Sequence, residues 1–328
     1  MKAILIDSYL SSTGSKKNHP YNLSILTKIV NKSIIEHQLE RLKKIGILDI
    51  TIITSKEVYR KCLTGNHCNI NLSHANNLSC IEYGGSESST DIVIMPAGIL
   101  TNLNVNQLVI KHKYSESKLT CATISKSHSK HENTLFNPFI IKINELNELL
   151  QKNQFLDLNA LTNNTHLNNE YSMLKKSIII YNPVSLNDFW QLHMNIVSEE
   201  NPKIEYNGFP LNDKIWIDVD SQIHPSSKIN GTVIIGRNTK IGKGVELNGN
   251  VVIGDNVVID NHARITNSVI LKNTYIGPEI EVKSAVVNKN LLYDRIRDSH
   301  MTISDNFILG ETNKINRYFN KFRVALTG

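Results

Sequence analysis

Three patterns are missing from this 328-residue chain, and each absence closes off a class of protein. Cysteine is scarce. Cys62, Cys68, Cys80 and Cys121 have neither the spacing of a disulfide framework nor that of a zinc site. Cys62, His67 and Cys68, with His74 nearby, cluster loosely, but a structural zinc requires a tight and complete ligand set. A loop with ordinary reduced thiols is the simpler reading, and a cytoplasmic setting follows from it. Long apolar runs are absent too, and nothing approaches the roughly 18 residues needed to span a bilayer. The opening stretch, 1–7, is too short for a signal peptide and reads as a first strand. Aromatics make up 6% of the chain, and the excess of 36 Lys and Arg over 30 Asp and Glu is scattered. No basic stripe is interleaved with aromatic residues, which argues against nucleic acid as a partner.

What is present is a repeat. An aliphatic residue recurs every six positions at Ile223, Ile229, Ile235, Ile241, Leu247, Ile253, Ile259 and Ile265. A small or aliphatic residue follows four positions after each: Ser227, Val233, Thr239, Val245, Val251, Val257, Ala263 and Val269. A period of six fits neither a helix nor a free strand. It fits a chain that turns a corner every six residues and stacks coil on coil, with aliphatic side chains forming an inner column. The period slips by one after Leu271 and resumes at Ile276 and Val282, which predicts a distorted last coil.

The first two hundred residues carry different signals. Residues 3–6 read as a strand, 33–45 as a helix and 47–54 as a strand. Ser33 and Glu36 make a capping box, Ile35, Leu39 and Leu42 form the apolar stripe, and Gly46 stops the helix. This is a βαβ unit, hence an α/β domain with a parallel sheet. Further strands are expected at 91–95 and 119–124, helices at 105–113, 144–150 and 185–196, and a polar loop at 163–170. Pro and Gly cluster in 201–213, ahead of the repeat. The domains expected are therefore 1–205, a hexapeptide β-helix over 215–290, and a C-terminal extension over 291–328.

The βαβ opening followed by hexads, with the phrase Asn31-Lys32-Ser33-Ile34-Ile35-Glu36-His37-Gln38-Leu39-Glu40-Arg41-Leu42, resembles the sugar-1-phosphate nucleotidylyltransferases, or NDP-sugar pyrophosphorylases, of the mannose-1-phosphate guanylyltransferase type. The resemblance implies a Rossmann-like nucleotidylyltransferase domain and a left-handed parallel β-helix. It implies a reaction in which a sugar-1-phosphate attacks the α-phosphorus of an NTP and releases pyrophosphate, served by a glycine loop, cationic side chains and metal-binding carboxylates. The chain departs from the family at each of these places. The glycine loop falls on Asp7, Ser8, Tyr9, Leu10, Ser11, Ser12 and Thr13, with Thr13 at the arginine position. The family's Pro-Lys-Pro falls on Leu23, Ser24 and Ile25. The two metal aspartates fall on Gly98 and Asn182. The stretches 84–90 and 125–132 are shorter than their family counterparts.

These departures predict a degenerate homologue without catalytic residues. It would act as a regulatory, scaffolding or sugar-nucleotide-sensing protein in surface-polysaccharide biosynthesis. The alternatives are an active pyrophosphorylase with a rearranged site and an acyltransferase using the β-helix. Asp7, Ser8, Tyr9, Ser11, Ser12, Thr13 and Lys28 are the candidate ligand pocket, with Lys16, Lys17 and His19 in the same stretch. Asp7, at the end of a first strand, either holds a ligand or initiates a turn. His224 and His262 lie on the β-helix at outward positions without an identifiable carboxylate partner, and His128 and His131 sit in a polar loop. No cofactor is expected, and Mg2+ only for the active alternative. The partners expected are a nucleotide or NDP-sugar, further copies of the chain through the β-helix, and a polysaccharide-assembly protein or membrane surface through the tail. In that tail Ile315, Tyr318, Phe319 and Phe322 follow helical spacing beside Lys314, Arg317, Lys321 and Arg323. Such a tail could also be the lead-in to a membrane segment if the chain is part of a longer fusion.

Overall fold

The computed structural model describes residues 1–7, 25–54, 69–72, 90–101, 103–115, 117–127, 137–152, 171–181, 185–198 and 206–315, with backbone alone at 69–72, 123–127, 150, 152 and 171–181. Contacts divide the chain into two compact units, Met1–Thr27 with Ser33–Val184, and Lys28–Lys32 with Ser185–Gly328.

The first unit is a mixed α/β sheet. Its elements are β1 (Lys2–Ile6), α1 (Ile34–Lys44), β4 (Ile50–Thr54), β5 (Asn69–Leu72), β6 (Asp91–Pro96), β7 (Leu100–Thr101), α2 (Val105–Ser115), β8 (Leu119–Ser127), β9 (Phe139–Lys142), α3 (Ile143–Lys152) and β10 (Tyr171–Tyr181). Two short strands, β2 (Lys28–Ile29) and β3 (Lys32–Ser33), precede α1 as a hairpin whose residues Lys28–Lys32 belong to the second unit. The strand order is β5-β4-β1-β6-β9-β8-β10-β7, and β5, β4, β1 and β6 run parallel. Here the sheet departs from the all-parallel expectation. β9 lies antiparallel to both β6 and β8, and the connection over 128–138 suits an antiparallel return from β8, which needs no crossover. β10 was not anticipated. Its pairing with β8 is irregular between Leu174 and Ile178, where Lys175, Lys176 and Ser177 interrupt the apolar run. α1 follows its sequence signals closely. The Ser33 side chain accepts from the Glu36 N–H, Glu36 accepts from the Ser33 N–H at 2.7 Å, and Gly46 leaves the helix at φ +82°. Leu39 and Leu42 of its apolar face pack on Ala3, Leu5, Ile50, Ile52 and Val93 of the sheet.

The second unit is a parallel β-solenoid of four coils with three faces. The first face holds β11 (Phe209–Asn212), β12 (Ile215–Ile217), β15 (Val233–Ile235), β18 (Val251–Ile253), β21 (Val269–Ile270) and β24 (Ala285–Asn288), continued by β25 (Leu291–Asp294) and β26 (Ser299–Thr302). The second holds β13 (Gln222–Ile223), β16 (Lys240–Ile241), β19 (Val258–Ile259), β22 (Thr274–Ile276) and β27 (Leu309–Glu311). The third holds β14 (Lys228–Asn230), β17 (Glu246–Asn248), β20 (Arg264–Thr266) and β23 (Glu281–Lys283). Ile235, Ile241, Leu247, Ile253, Ile259 and Ile265 point inward as the hexads predict and form one buried column. The corners turn through residues of positive φ. Asn238, Asn256 and Asn273, at φ +52°, +56° and +61°, stack with their amides bonded at 2.9 and 3.1 Å. Asn tolerates the left-handed region better than most non-glycine residues.

The slip in the repeat lies one corner earlier than the sequence suggested. Leu247 pairs with Ile265 eighteen residues on, but Val252 pairs with Val269 and Ile265 with Val282, seventeen on. A residue is lost at the corner Asn267–Ser268 and a second at the corner Ser284–Ala285, since Val269 pairs with Val286, again seventeen on. Ile270, not Leu271, therefore points inward, and Ser268 takes the buried corner position expected for Val269. Ser268 Oγ accepts from Ala285 N–H at 3.1 Å and donates to Thr266 O at 2.7 Å. The coil that follows is not distorted, because its strands keep continuous parallel register.

The first face is apolar on its outer side as well. Ile234, Val252 and Val286 are buried, and the helix α4 (Leu186–Val197) packs against β18 and β24. Ser185 and Asp188 cap α4 reciprocally. Trp190 Nε1–H donates to Asn267 O at 2.8 Å, and the Arg295 guanidinium lies 4.5 Å from the Trp190 ring centre. His193, 1% exposed, donates from Nδ1 to Phe189 O at 2.8 Å.

Two outcomes follow. Asn256→Ala removes two amide contacts and places alanine at positive φ, and should cost about 1–2 kcal/mol in urea denaturation. Asn256→Gly keeps the backbone conformation and should cost less, and equal losses for the two would discard the backbone argument. Burial lowers the His193 pKa from 6.5 to about 4. The stabilisation from neutral His193 is thus complete above pH 6.5 and is lost as pH falls towards 4, a difference of about 3 kcal/mol. The slope of stability against pH between these limits should flatten in His193→Leu, and an unchanged slope would show that other groups carry it.

Candidate functional site

The carboxyl ends of parallel strands are the part of an α/β sheet where ligands bind, since backbone and side chains converge there outside the sheet. In the first unit those ends belong to β1, β4 and β6. Asp7 follows β1 and is fully buried. Its N–H donates to Ile53 O at 2.9 Å, and Thr54 Oγ1, at the end of β4, donates to its carboxylate at 3.0 Å. The carboxylate is thus fixed between two strands rather than solvated.

The segment after β6 is tied down from two directions. Ala97 N–H donates to Ile6 O at 2.7 Å. From α1, the Gln38 amide donates to Pro96 O at 2.9 Å and to Ile99 O at 2.5 Å, and the Arg41 guanidinium donates to Thr101 O. Burial lowers the Arg41 pKa. Gln38 and Arg41 received no role from the sequence, although their spacing of three on a predicted helix puts them on one face. Gly98 lies buried within this anchored segment. Pro96, Ala97, Gly98 and Ile99 supply no carboxylate.

Of the other pocket candidates, Lys28 is among the described residues. Lys28 sits in the second compact unit, where its ammonium pairs with Asp255. The same carboxylate accepts from Arg237 N–H at 3.1 Å. Asn31, in the same hairpin, donates from its amide to Ile253 O at 2.9 Å. Ser8, Tyr9, Ser11, Ser12, Thr13, Lys16, Lys17, His19 and Asn182 lie outside the described residues, as do Cys62, His67, Cys68, His74, Cys80, His128, His131 and the tail beyond Ile315. Cys121 is buried in the sheet, and burial pushes its thiol up to about 12. His224 and His262 are exposed at corners of the solenoid, as their hexad positions predict. Among the described residues no three His, Cys, Asp or Glu side chains converge as metal ligands, and no helix is long and apolar enough to cross a membrane.

Residues 240–320 match the family model for the GMPPB C-terminal domain. The match covers about a quarter of the chain, and no curated protein matches the sequence. It supports a relation to the GMPPB-like sugar nucleotidylyltransferases and the left-handed form of the solenoid.

The Asp7–Thr54 contact makes a direct prediction. Thr54→Val removes a donor to a buried carboxylate at nearly constant volume and should destabilise the protein by about 1–3 kcal/mol. The loss should shrink in an Asp7→Asn background, and a double-mutant cycle by chemical denaturation measures the coupling.

Proposed function

We propose that the protein is a nucleotidylyltransferase homologue whose first unit holds a nucleotide or NDP-sugar without turning it over. It serves as a regulatory, scaffolding or sensing subunit in surface-polysaccharide biosynthesis. One observation carries the reading: the position that resembles the family's first metal aspartate is Gly98, buried in a segment that offers no carboxylate. Asp7 is the one carboxylate at the described ends of β1, β4 and β6, and it is engaged by Thr54. These residues do not fit a catalytic Mg2+, which needs oxygen ligands from several groups. Phosphoryl transfer relies on electrostatic stabilisation of developing charge, and removing such terms costs a few kcal/mol each. A nucleotide can still be bound by backbone N–H groups and hydroxyls, for which the 8–13 stretch supplies four serines and threonines.

A thermal-shift screen with NTPs, NDP-sugars and sugar-1-phosphates, each with and without magnesium, tests the reading. A ligand at about 100 times its Kd adds roughly 2.7 kcal/mol, which raises Tm by several degrees. The expected result is such a shift for one NDP-sugar, independent of magnesium, with no pyrophosphate released from NTP and sugar-1-phosphate. Pyrophosphate release would establish the active pyrophosphorylase instead. The absence of any shift would remove nucleotide binding from the reading.

A further inference from the structure

The outer side of the second solenoid face carries a groove of about 340 Å³ that has no part in the site above. Its walls follow from the stacking of the coils. Gln222, Lys240, Val258 and Tyr275 are register partners on successive coils and share the outer side of the face. One residue beyond each inward isoleucine, His224, Gly242 and Asp260 stack at the adjoining corner. Gly242 is the gap in that column. A side chain there is excluded, because a Cβ would stand 3.0 Å from Asn261 N and 2.8 Å from its Oδ1. With strands about 4.8 Å apart, His224 and Asp260 stand roughly 10 Å from each other across the gap. Lys240 flanks it, and Val258 and the buried Ile315 form an apolar wall.

The polar groups around this gap differ in chemistry. Lys240 is exposed and has no carboxylate partner among the described residues. His224 Nδ1 accepts from Ser226 N–H at 3.1 Å and lies 2.8 Å from Ser226 Oγ. Ser226 Oγ itself accepts from Gly244 N–H at 3.0 Å, which leaves its hydroxyl proton for the imidazole. The His224 proton therefore resides on Nε2, which is a donor. Asp260 is held in place by Tyr275 OH at 2.9 Å and by Asn261 N–H at 2.7 Å, and its remaining lone pairs accept. A cation on the coil of Gly242, a donor on the coil before it and a fixed acceptor on the coil after it thus surround a small gap, with an apolar wall alongside.

We propose that this groove binds a small phosphorylated polyol, with the phosphate on Lys240 and His224 Nε2–H, a hydroxyl on Asp260, and the carbon skeleton against Val258 and Ile315. Charge-assisted contacts to the phosphate supply most of the affinity. Asp260 supplies the selection for a hydroxyl, since an anion without one meets only repulsion there. The proposal is independent of nucleotide binding by the first unit.

The test follows the His224 imidazole by NMR, with its resonance assigned from a His224→Gln variant. Glycerol 3-phosphate is titrated against inorganic phosphate and against uncharged glycerol. Glycerol 3-phosphate should move the His224 resonance saturably and bind more tightly than inorganic phosphate, while glycerol should leave it unmoved. Lys240→Ala, at an exposed and unpaired position, should keep its Tm and weaken glycerol 3-phosphate binding by about ten-fold or more. Asp260→Asn should abolish the preference for glycerol 3-phosphate over inorganic phosphate. A linear, unsaturable response in the wild-type protein, or equal affinity in Lys240→Ala, would overturn the proposal. A preference unchanged in Asp260→Asn would overturn the role of the carboxylate.

Discussion

In the solenoid the backbone hydrogen bonds run along the axis, from each coil to the next, and everything else in that unit depends on them. Gln222 N–H donates to Thr239 O, Lys240 N–H to Val257 O, and Asp260 N–H to Ile276 O. No coil can satisfy its own polar groups, so a coil is stable only when stacked. The inward isoleucines are placed by this ladder. Because coils stay in register, residues one coil apart must share a direction, and the ladder turns a repeated sequence into a continuous apolar column. The same rule spaces the corners, the outer face that receives α4, and the groove with its missing side chain at Gly242.

The terminal coils show what the ladder requires at its ends. At the C-terminal end β25, β26 and β27 run antiparallel to their neighbours and stop the stack. Two polar corner residues act within the stack. Thr239 Oγ1 donates to Gly254 O at 2.9 Å, and Ser227 Oγ donates to Gly242 O at 2.9 Å. Each supplies a donor to a carbonyl of the next coil, so a polar residue at an interior corner is compatible with the dry core.

The solenoid was legible because its period is imposed on every coil. The six-residue spacing named the inward residues, and only the one-residue shortening of the corners at Asn267–Ser268 and Ser284–Ala285 was misplaced, since in sequence Leu271 looks as apolar as Ile270. The α/β unit was legible where signals were local. The Ser33–Glu36 box and Gly46 mark α1 because capping involves neighbouring residues. Pairing was less visible. Nothing local states that β9 inserts antiparallel between β6 and β8, or that two lysines in β10 coincide with irregular pairing. The site was the least legible part. Lys28 looked like a phosphate contact because it is cationic and near the first strand, yet its partner, Asp255, is 227 residues away. Gln38 and Arg41 anchor the segment after β6 through backbone carbonyls, and carbonyls carry no sequence signature.

The shortened corner at Asn267–Ser268 shows where the solenoid accommodates a change of length. It is one residue shorter than the corner a coil earlier, yet the next face retains its register, its inward column and its hydrogen bonds. The corner behaves as an expansion joint, in which length is exchanged against backbone curvature while the straight runs on either side stay in phase. Change of length is therefore cheap at corners and expensive on faces. New loops, and any partner specificity they carry, have their easiest point of entry along the three edges of the prism.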